Sequence, residues 1–345
     1  MGVTVMKTLF AWLRSNLPVG RHSGALLLAF VCLMPVQTVP AAAQPVPVIL
    51  DTDIGDDIDD TWALGLLLKS PELDLKLVVG DQGKALYRAR LLAKFLQTAG
   101  RTDVAVGLGL EINAPGEGPQ AEWVKQYDLK SYPGKVHTNG VQAMIDCIMS
   151  SPEPVTLIAI GPVPNLAAAL EREPRIAQRL RFVGMHGSVR LGYGGSPTVA
   201  AEYNVKANVK ACQKVFTAPW PMIITPLDTC GLIALDGDRY RRLRQSSDPI
   251  ASAVIENYRL WNIANEKDPA KRNWEKQSST LFDTVAVYLA IRQDLVKIER
   301  LGIRVNDQGF TVIDAQAKPM DVAVAWKSLD QFRDFLTERL AGAAR

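Results

Sequence analysis

Thiols and imidazoles are scarce in this chain, with four cysteines and three histidines among 345 residues. No Cys-x-x-Cys spacing occurs, which argues against a structural zinc site. Beyond Cys32 the remaining thiols are Cys147, Cys212 and Cys230, an odd set that allows at most one disulfide. Cys147 keeps helical spacing with Met144 and Ile148, as a core residue rather than a reactive thiol. Long apolar runs are missing too: Ala25–Leu33 falls short of the roughly 20 residues needed to span a bilayer. No internal repeat or low-complexity segment breaks the chain, and no linker divides it.

The N-terminus reads as an export signal. Lys7, Arg14 and Arg21 form a positive region, Ala25–Leu33 a short apolar core, and Ala41-Ala42-Ala43 a small-residue cleavage site before Gln44. An uncleaved anchor is the competing reading. No Arg-Arg pair suggests the twin-arginine route, and Cys32 lacks the small residue before it that a lipoprotein signal needs. The expectation is residues 1–43 as signal peptide and 44–345 as one domain, exported to the periplasm or secreted, with no stable membrane anchor after cleavage. The 39 basic residues less those three cations leave 36, against 36 acidic ones. A formally neutral chain argues against nucleic-acid binding, which needs a basic surface. A homo-oligomer is left open.

What the sequence does have is acid. Asp51, Asp53, Asp56, Asp57, Asp59 and Asp60 fall within ten residues, directly after the apolar run Val48-Ile49-Leu50. Carboxylates this dense repel one another and are costly to bury, so convergence demands a positive partner. A hard divalent cation held by oxygen ligands is the simplest one. The competing reading is a solvated acidic turn. An EF-hand fails, because twelve positions counted from Asp51 put Gly55 one place early and Trp62 where a bidentate glutamate is required.

Apolar runs alternate with amphipathic stretches. Strands are expected at Val46–Leu50, Leu75–Val79, Val104–Val106, Val155–Ile160, Phe182–Met185 and Met222–Ile224. Helices are expected at Thr61–Ser70, Ala85–Ala99, Val141–Ser150 and Asn165–Glu171, with a long loop over 111–140. Residues 236–283 read as helix-rich, and Leu301–Val324 as β-structure. The alternation predicts an α/β fold with a mainly parallel sheet flanked by helices and a helix-rich C-terminal part. Ligands of such sheets bind at the carboxyl ends of the strands, where the acidic cluster lies.

Four segments in order resemble the nucleoside hydrolase family of the inosine–uridine-preferring type, over roughly Val48 to Leu289. Asp51-Thr52-Asp53-Ile54-Gly55 through Asp60 is similar to its aspartate-rich signature, and Ile160-Gly161-Pro162-Val163-Pro164-Asn165-Leu166-Ala167 to its Gly-Pro-Leu-Thr-Asn-Leu-Ala element. Ala201-Glu202-Tyr203-Asn204 resembles Ala-Glu-Phe-Asn, and Phe282-Asp283-Thr284-Val285-Ala286-Val287 resembles His-Asp-Pro-Leu-Ala-Val. The resemblance implies a Rossmann-like core, a small-molecule nucleoside substrate, and one Ca²⁺ held by Asp53, Asp60, the Pro164 carbonyl and Asp283. The two extra residues in the acidic stretch leave an ambiguity. Alignment from Ala63 and Leu64 selects Asp59-Asp60 at the helix start and assigns Asp59 to the sugar, with Asp57 the alternative and Asp56 a helix cap.

The resemblance further implies that Glu202 and Asn204 bind the sugar's 5′ side. An extended segment would place both on one face with Tyr203 opposite. Asp81 stands where the family often has an asparagine touching the sugar. The implied reaction is hydrolysis of a ribonucleoside, with Asp53 as general base. Many members carry a histidine as general acid where this chain has Phe282, which has no proton to donate. Trp261, Trp274 or Tyr258 would then stack on the base, and His137 and His186 are further candidates for the pocket. Two alternatives stay open: a binding protein that has lost catalysis, and a haloacid dehalogenase-type phosphatase. The phosphatase needs Thr or Val where Gly55 stands.

Overall fold

A computed structural model describes residues 44–112 and 116–342. The expected signal peptide, residues 1–43, lies outside them. Ten strands form one sheet: β1 (Val46–Thr52), β2 (Leu73–Gly80), β3 (Ala105–Gly107), β4 (Val136–His137), β5 (Val155–Ala159), β6 (Leu180–Met185), β7 (Met222–Thr225), β8 (Val296–Val305), β9 (Thr311–Ile313) and β10 (Pro319–Trp326). Their spatial order is β4-β3-β2-β1-β5-β6-β7-β10-β8-β9. From β4 through β7 to β10 every pairing is parallel, whereas β8 runs antiparallel to β10 and to β9. The sheet is therefore mixed, and the β-rich tail joins it rather than standing apart.

Twelve helices accompany the sheet among the described residues. The longer ones are α1 (Asp59–Leu68), α2 (Ala85–Thr98), α4 (Gly140–Ser150), α5 (Pro164–Arg172), α7 (Val209–Thr217), α9 (Gly237–Arg244), α10 (Pro249–Asn265), α11 (Thr284–Ile291) and α12 (Leu329–Ala341). Three short ones, α3 (Ala121–Val124), α6 (Tyr203–Ala207) and α8 (Leu227–Cys230), lie in the connections. The 111–140 region is more ordered than a plain loop, since it holds α3 and edge strand β4. Its Glu111 carboxylate accepts from the backbone N–H groups of Lys84 and Ala85, both at 2.8 Å, and so caps α2 from a distance in sequence. No helix of the described residues is long and apolar enough to cross a membrane.

Both faces of the sheet are covered, as a parallel sheet requires. In β1, Val48 and Leu50 pack on one layer with α1, α2, α10, α11 and α12, while Ile49 packs on the other with α4, α5 and α7. This period-2 division explains why the central strands are apolar throughout. Buried polar residues gather at the carboxyl ends of β1, β2 and β6, where the chain leaves the sheet.

Candidate active site and metal centre

β1 ends in Asp51-Thr52, and the chain then turns through Asp53 to Gly55. Gly55 adopts a φ of 111°, and a Cβ there would lie 2.5 Å from the Tyr87 ring, so the turn needs glycine. α1 begins at Asp59, which places Asp59 and Asp60 in its first turn. Asp283 enters from the other end of the chain as the residue that precedes α11, and its backbone N–H donates to Asp59 Oδ2 at 3.3 Å. Carboxylate oxygens of Asp59, Asp60 and Asp283 lie within 4.8 Å of one another, and all three residues are buried. This group contains Asp59, which the alignment from the helix start assigns to the sugar, and does not contain Asp53, while Asp57 is exposed and lines the same cavity.

These side chains line a cavity of about 320 Å³ together with Asp53, Asp56, Asp57, Ile160, Met185, Glu202, Asn204 and the more peripheral Tyr193, Tyr203, Trp261, Asn265 and Phe282. Asp53 is held tightly: a Cβ on Gly161 would come within 2.9 Å of its backbone nitrogen and of Oδ1. Burial, reinforced by mutual repulsion, drives the carboxyls of Asp59, Asp60 and Asp283 well above the usual range. Burial pushes Asp53 up to about 6 against the pull of Arg88, and Asp51 up to about 7 against a hydrogen bond from Asn165.

Arg88 was not singled out by the sequence, yet it is fully buried beneath this loop. Its guanidinium donates to the backbone carbonyls of Asp53, Ile54 (2.8 Å), Gln82 (3.2 Å) and Gly83 (2.9 Å), and to Asp56 Oδ2 at 2.8 Å. Asp56 does not cap α1 as expected. Burial opposes its ionisation, but Arg88 and Lys84 together hold its carboxyl below the usual range. Part of the positive charge that the acidic stretch demands is therefore a side chain. The signal was available, because Arg88 shares the apolar stripe of α2 with Leu91, Leu92 and Phe95.

The Glu202–Asn204 segment differs from expectation. Glu202 is extended but caps α6, accepting from the N–H groups of Asn204 (2.8 Å), Val205 (3.3 Å) and, across the loop, Gly187 (2.9 Å). Burial still raises its carboxyl to about 7 against those three donors. Asn204 Nδ2 donates to the carbonyls of Ile160 (3.1 Å) and Met185 (3.0 Å), tying α6 to the ends of β5 and β6. Both residues reach the cavity, and so does Tyr203, which alternation would have turned away.

Six of the residues proposed for the site do not line the cavity. Pro164 is buried at the first position of α5, and Asp81 is buried behind the wall, its Oδ1 accepting from the Gln82 N–H at 2.7 Å. His186 follows Met185 and points the opposite way, into the layer between Phe182 and Phe216. Burial depresses its pKa to about 3; a backbone group of Gly161 opposes that shift, but neither ring nitrogen makes a hydrogen bond. His137 lies on edge strand β4. Trp274 packs under the Arg244 guanidinium, and its carbonyl accepts from the Tyr240 hydroxyl. Of the three aromatic residues offered for stacking, Trp261 alone faces the cavity; Tyr258 is buried beside it, stacked on its ring.

The wall offers many carboxylate oxygens but no imidazole or thiolate. Three buried carboxylates this close fit a hard divalent cation with oxygen ligands and disfavour zinc. Residues 48–333 match the family model described as inosine-uridine preferring nucleoside hydrolase. A pyrimidine-specific ribonucleoside hydrolase, RihA, of Enterobacter sp. (strain 638) is 30% identical over 318 residues, covering 86% of this chain and 97% of the relative. A purine-preferring ribonucleoside hydrolase from Gardnerella vaginalis has a similar structure, with a TM-score of 0.70 at 22% identity, over 86% of this chain and 98% of that one. An inosine-uridine preferring nucleoside hydrolase from Bacillus anthracis gives a TM-score of 0.69 at 20% identity, over 86% and 99% of the two chains.

Proposed function

The chain belongs to the inosine-uridine preferring nucleoside hydrolase family, and on that premise we propose that it hydrolyses ribonucleosides to ribose and free base with Ca²⁺ as its resident ion. As a family member it is a hydrolase acting on N-glycosyl compounds, which removes the phosphatase alternative. The observation that carries the reading is the meeting of Asp59 and Asp60 with Asp283, from opposite ends of the chain, in a cavity that Asp53 also lines.

Asp59, Asp60 and Asp283 would hold the ion, with Asp53 beside them. When bound, Ca²⁺ supplies a Lewis acid that acidifies water and grips vicinal hydroxyls. Asp53 takes the proton of the attacking water. Positive charge developing on the ribosyl ring is favoured by the ring of carboxylates around it. Glu202 and Asn204, fixed by backbone hydrogen bonds on another wall, orient the sugar, and the Trp261 ring offers a face to the base. Export rests on the charged, apolar and small-residue pattern of residues 1–43.

The test is reducing-sugar release from a panel of purine and pyrimidine ribonucleosides, before and after chelation and after Ca²⁺ is restored. Release should be lost on chelation and recovered with Ca²⁺, and Asp283→Ala should lower it by about 1,000-fold or more while the fold persists. Release indifferent to chelation, or absent with every nucleoside, would overturn the reading. Tight nucleoside binding without turnover would instead identify a binding protein, a reading that Phe282 in the wall favours.

A further inference from the structure

A departing base gathers negative charge as its bond to the sugar breaks, and Phe282, which lines the cavity beside Asp283, has no proton to offer it. The other side-chain donors of the wall are mostly engaged. The Trp261 indole N–H donates to the Asp56 carbonyl at 3.0 Å, the Asn204 amide to Ile160 and Met185, and the Asn265 amide to the Trp261 carbonyl at 3.0 Å. Tyr193 differs. Its hydroxyl oxygen accepts from the Tyr203 backbone N–H at 3.0 Å, which anchors the oxygen while its own proton has no acceptor among the described residues. Its ring meets the Phe282 ring edge-on, with centroids 6.1 Å apart and planes at 83°. Gly194 and Gly195, with φ of 63° and 76°, bend the chain directly after it.

We propose that the Tyr193 hydroxyl donates a hydrogen bond to the departing base, supplying from the loop after β6 what the residue before Asp283 lacks. This rests on the ribonucleoside-hydrolysis reading above. The C1′–N bond breaks with its electron pair going to the base nitrogen, and the water oxygen bonds to C1′ and gives its proton to Asp53. The base leaves as an anion stabilised by the tyrosine O–H and takes its own proton from solvent. Burial, with Glu202 adding to it, pushes the Tyr193 hydroxyl up to about 12, so it keeps its proton through the neutral range and acts as a donor rather than a proton shuttle.

The experiment compares Tyr193→Phe with the unaltered protein on two substrates under saturating Ca²⁺. Uridine and inosine need help at the leaving group; p-nitrophenyl β-D-ribofuranoside does not. The expected result is a loss of about 100-fold in kcat on the nucleosides, the scale of removing one donor from developing negative charge. On the nitrophenyl riboside the change should be under about threefold, and across substituted phenyl ribosides the dependence of rate on leaving-group pKa should steepen. A retained Ca²⁺-induced rise in Tm certifies that the variant is folded. Equal losses on both substrate types in a folded variant, or no loss on nucleosides, would overturn the assignment. If the unaltered protein releases no ribose from either substrate, the hydrolase reading fails instead.

Discussion

Arg88 shows how a single side chain makes an acidic turn foldable. Five hydrogen-bond acceptors converge on its guanidinium, four of them backbone carbonyls of the loops around the cavity. A planar fork with several fixed donors suits this geometry, and an ammonium does not. Arg88→Met leaves those acceptors unpaired and should cost about 3 kcal/mol in a urea titration, with Arg88→Lys recovering only part of it. Loss of less than about 1 kcal/mol would mean that water satisfies the loop equally well. Lys84 gives Asp56 a second cation, partly exposed where Arg88 is fully buried, and its contribution is correspondingly smaller.

At the scale of elements, the site is assembled from helix beginnings. α1 presents Asp59 and Asp60 in its first turn, α11 follows directly on Asp283, and α6 is capped by Glu202. Backbone N–H groups at such positions have no partner inside the helix and favour negative charge. The five-residue α6 carries too little periodicity to be read from sequence, and for this reason Glu202-Tyr203-Asn204 reads as extended there. Its cap makes a direct prediction. Glu202→Ala frees three N–H groups and should lower stability by about 1–2 kcal/mol, whereas Glu202→Gln, which keeps an acceptor oxygen, should lose about half as much. Thermal melts of both variants decide it, and equal losses would mean that the charge rather than the acceptor matters.

For the whole molecule, the buried carboxylates link stability to pH. Asp51, Asp53 and Glu202 titrate near 7, 6 and 7 in the folded chain, against ordinary values of 3.8, 3.8 and 4.5. Burial and mutual repulsion also raise Asp59, Asp60, Asp81 and Asp283 well above the usual carboxylate range. Between about pH 4 and pH 7 the native state therefore holds more protons than the unfolded chain, and the free energy of unfolding falls as pH rises. His186, kept neutral with a pKa near 3, works the other way below about pH 6.5, but it is one proton against at least three. The metal-free protein should thus show a Tm that declines from about pH 4.5 to about pH 7, and millimolar Ca²⁺ should raise Tm more at the upper end. A flat or rising metal-free profile would show that the cluster is already compensated by other charges.

The amino-acid sequence by itself determined the alternation of strands and helices and the acidic turn after β1. Those features are carried by local periodicity and by residue types that few environments tolerate. Tertiary structure alone decided which residues turn inward. His186 and Met185 are neighbours, yet the pleat sends one into the core and the other to the cavity. Asp56 belongs to Arg88, and Tyr193 meets Phe282 from a loop far away in the chain. Direction at the end of a strand or the start of a short helix depends on contacts that no local pattern encodes, because each is set by a side chain dozens of residues away.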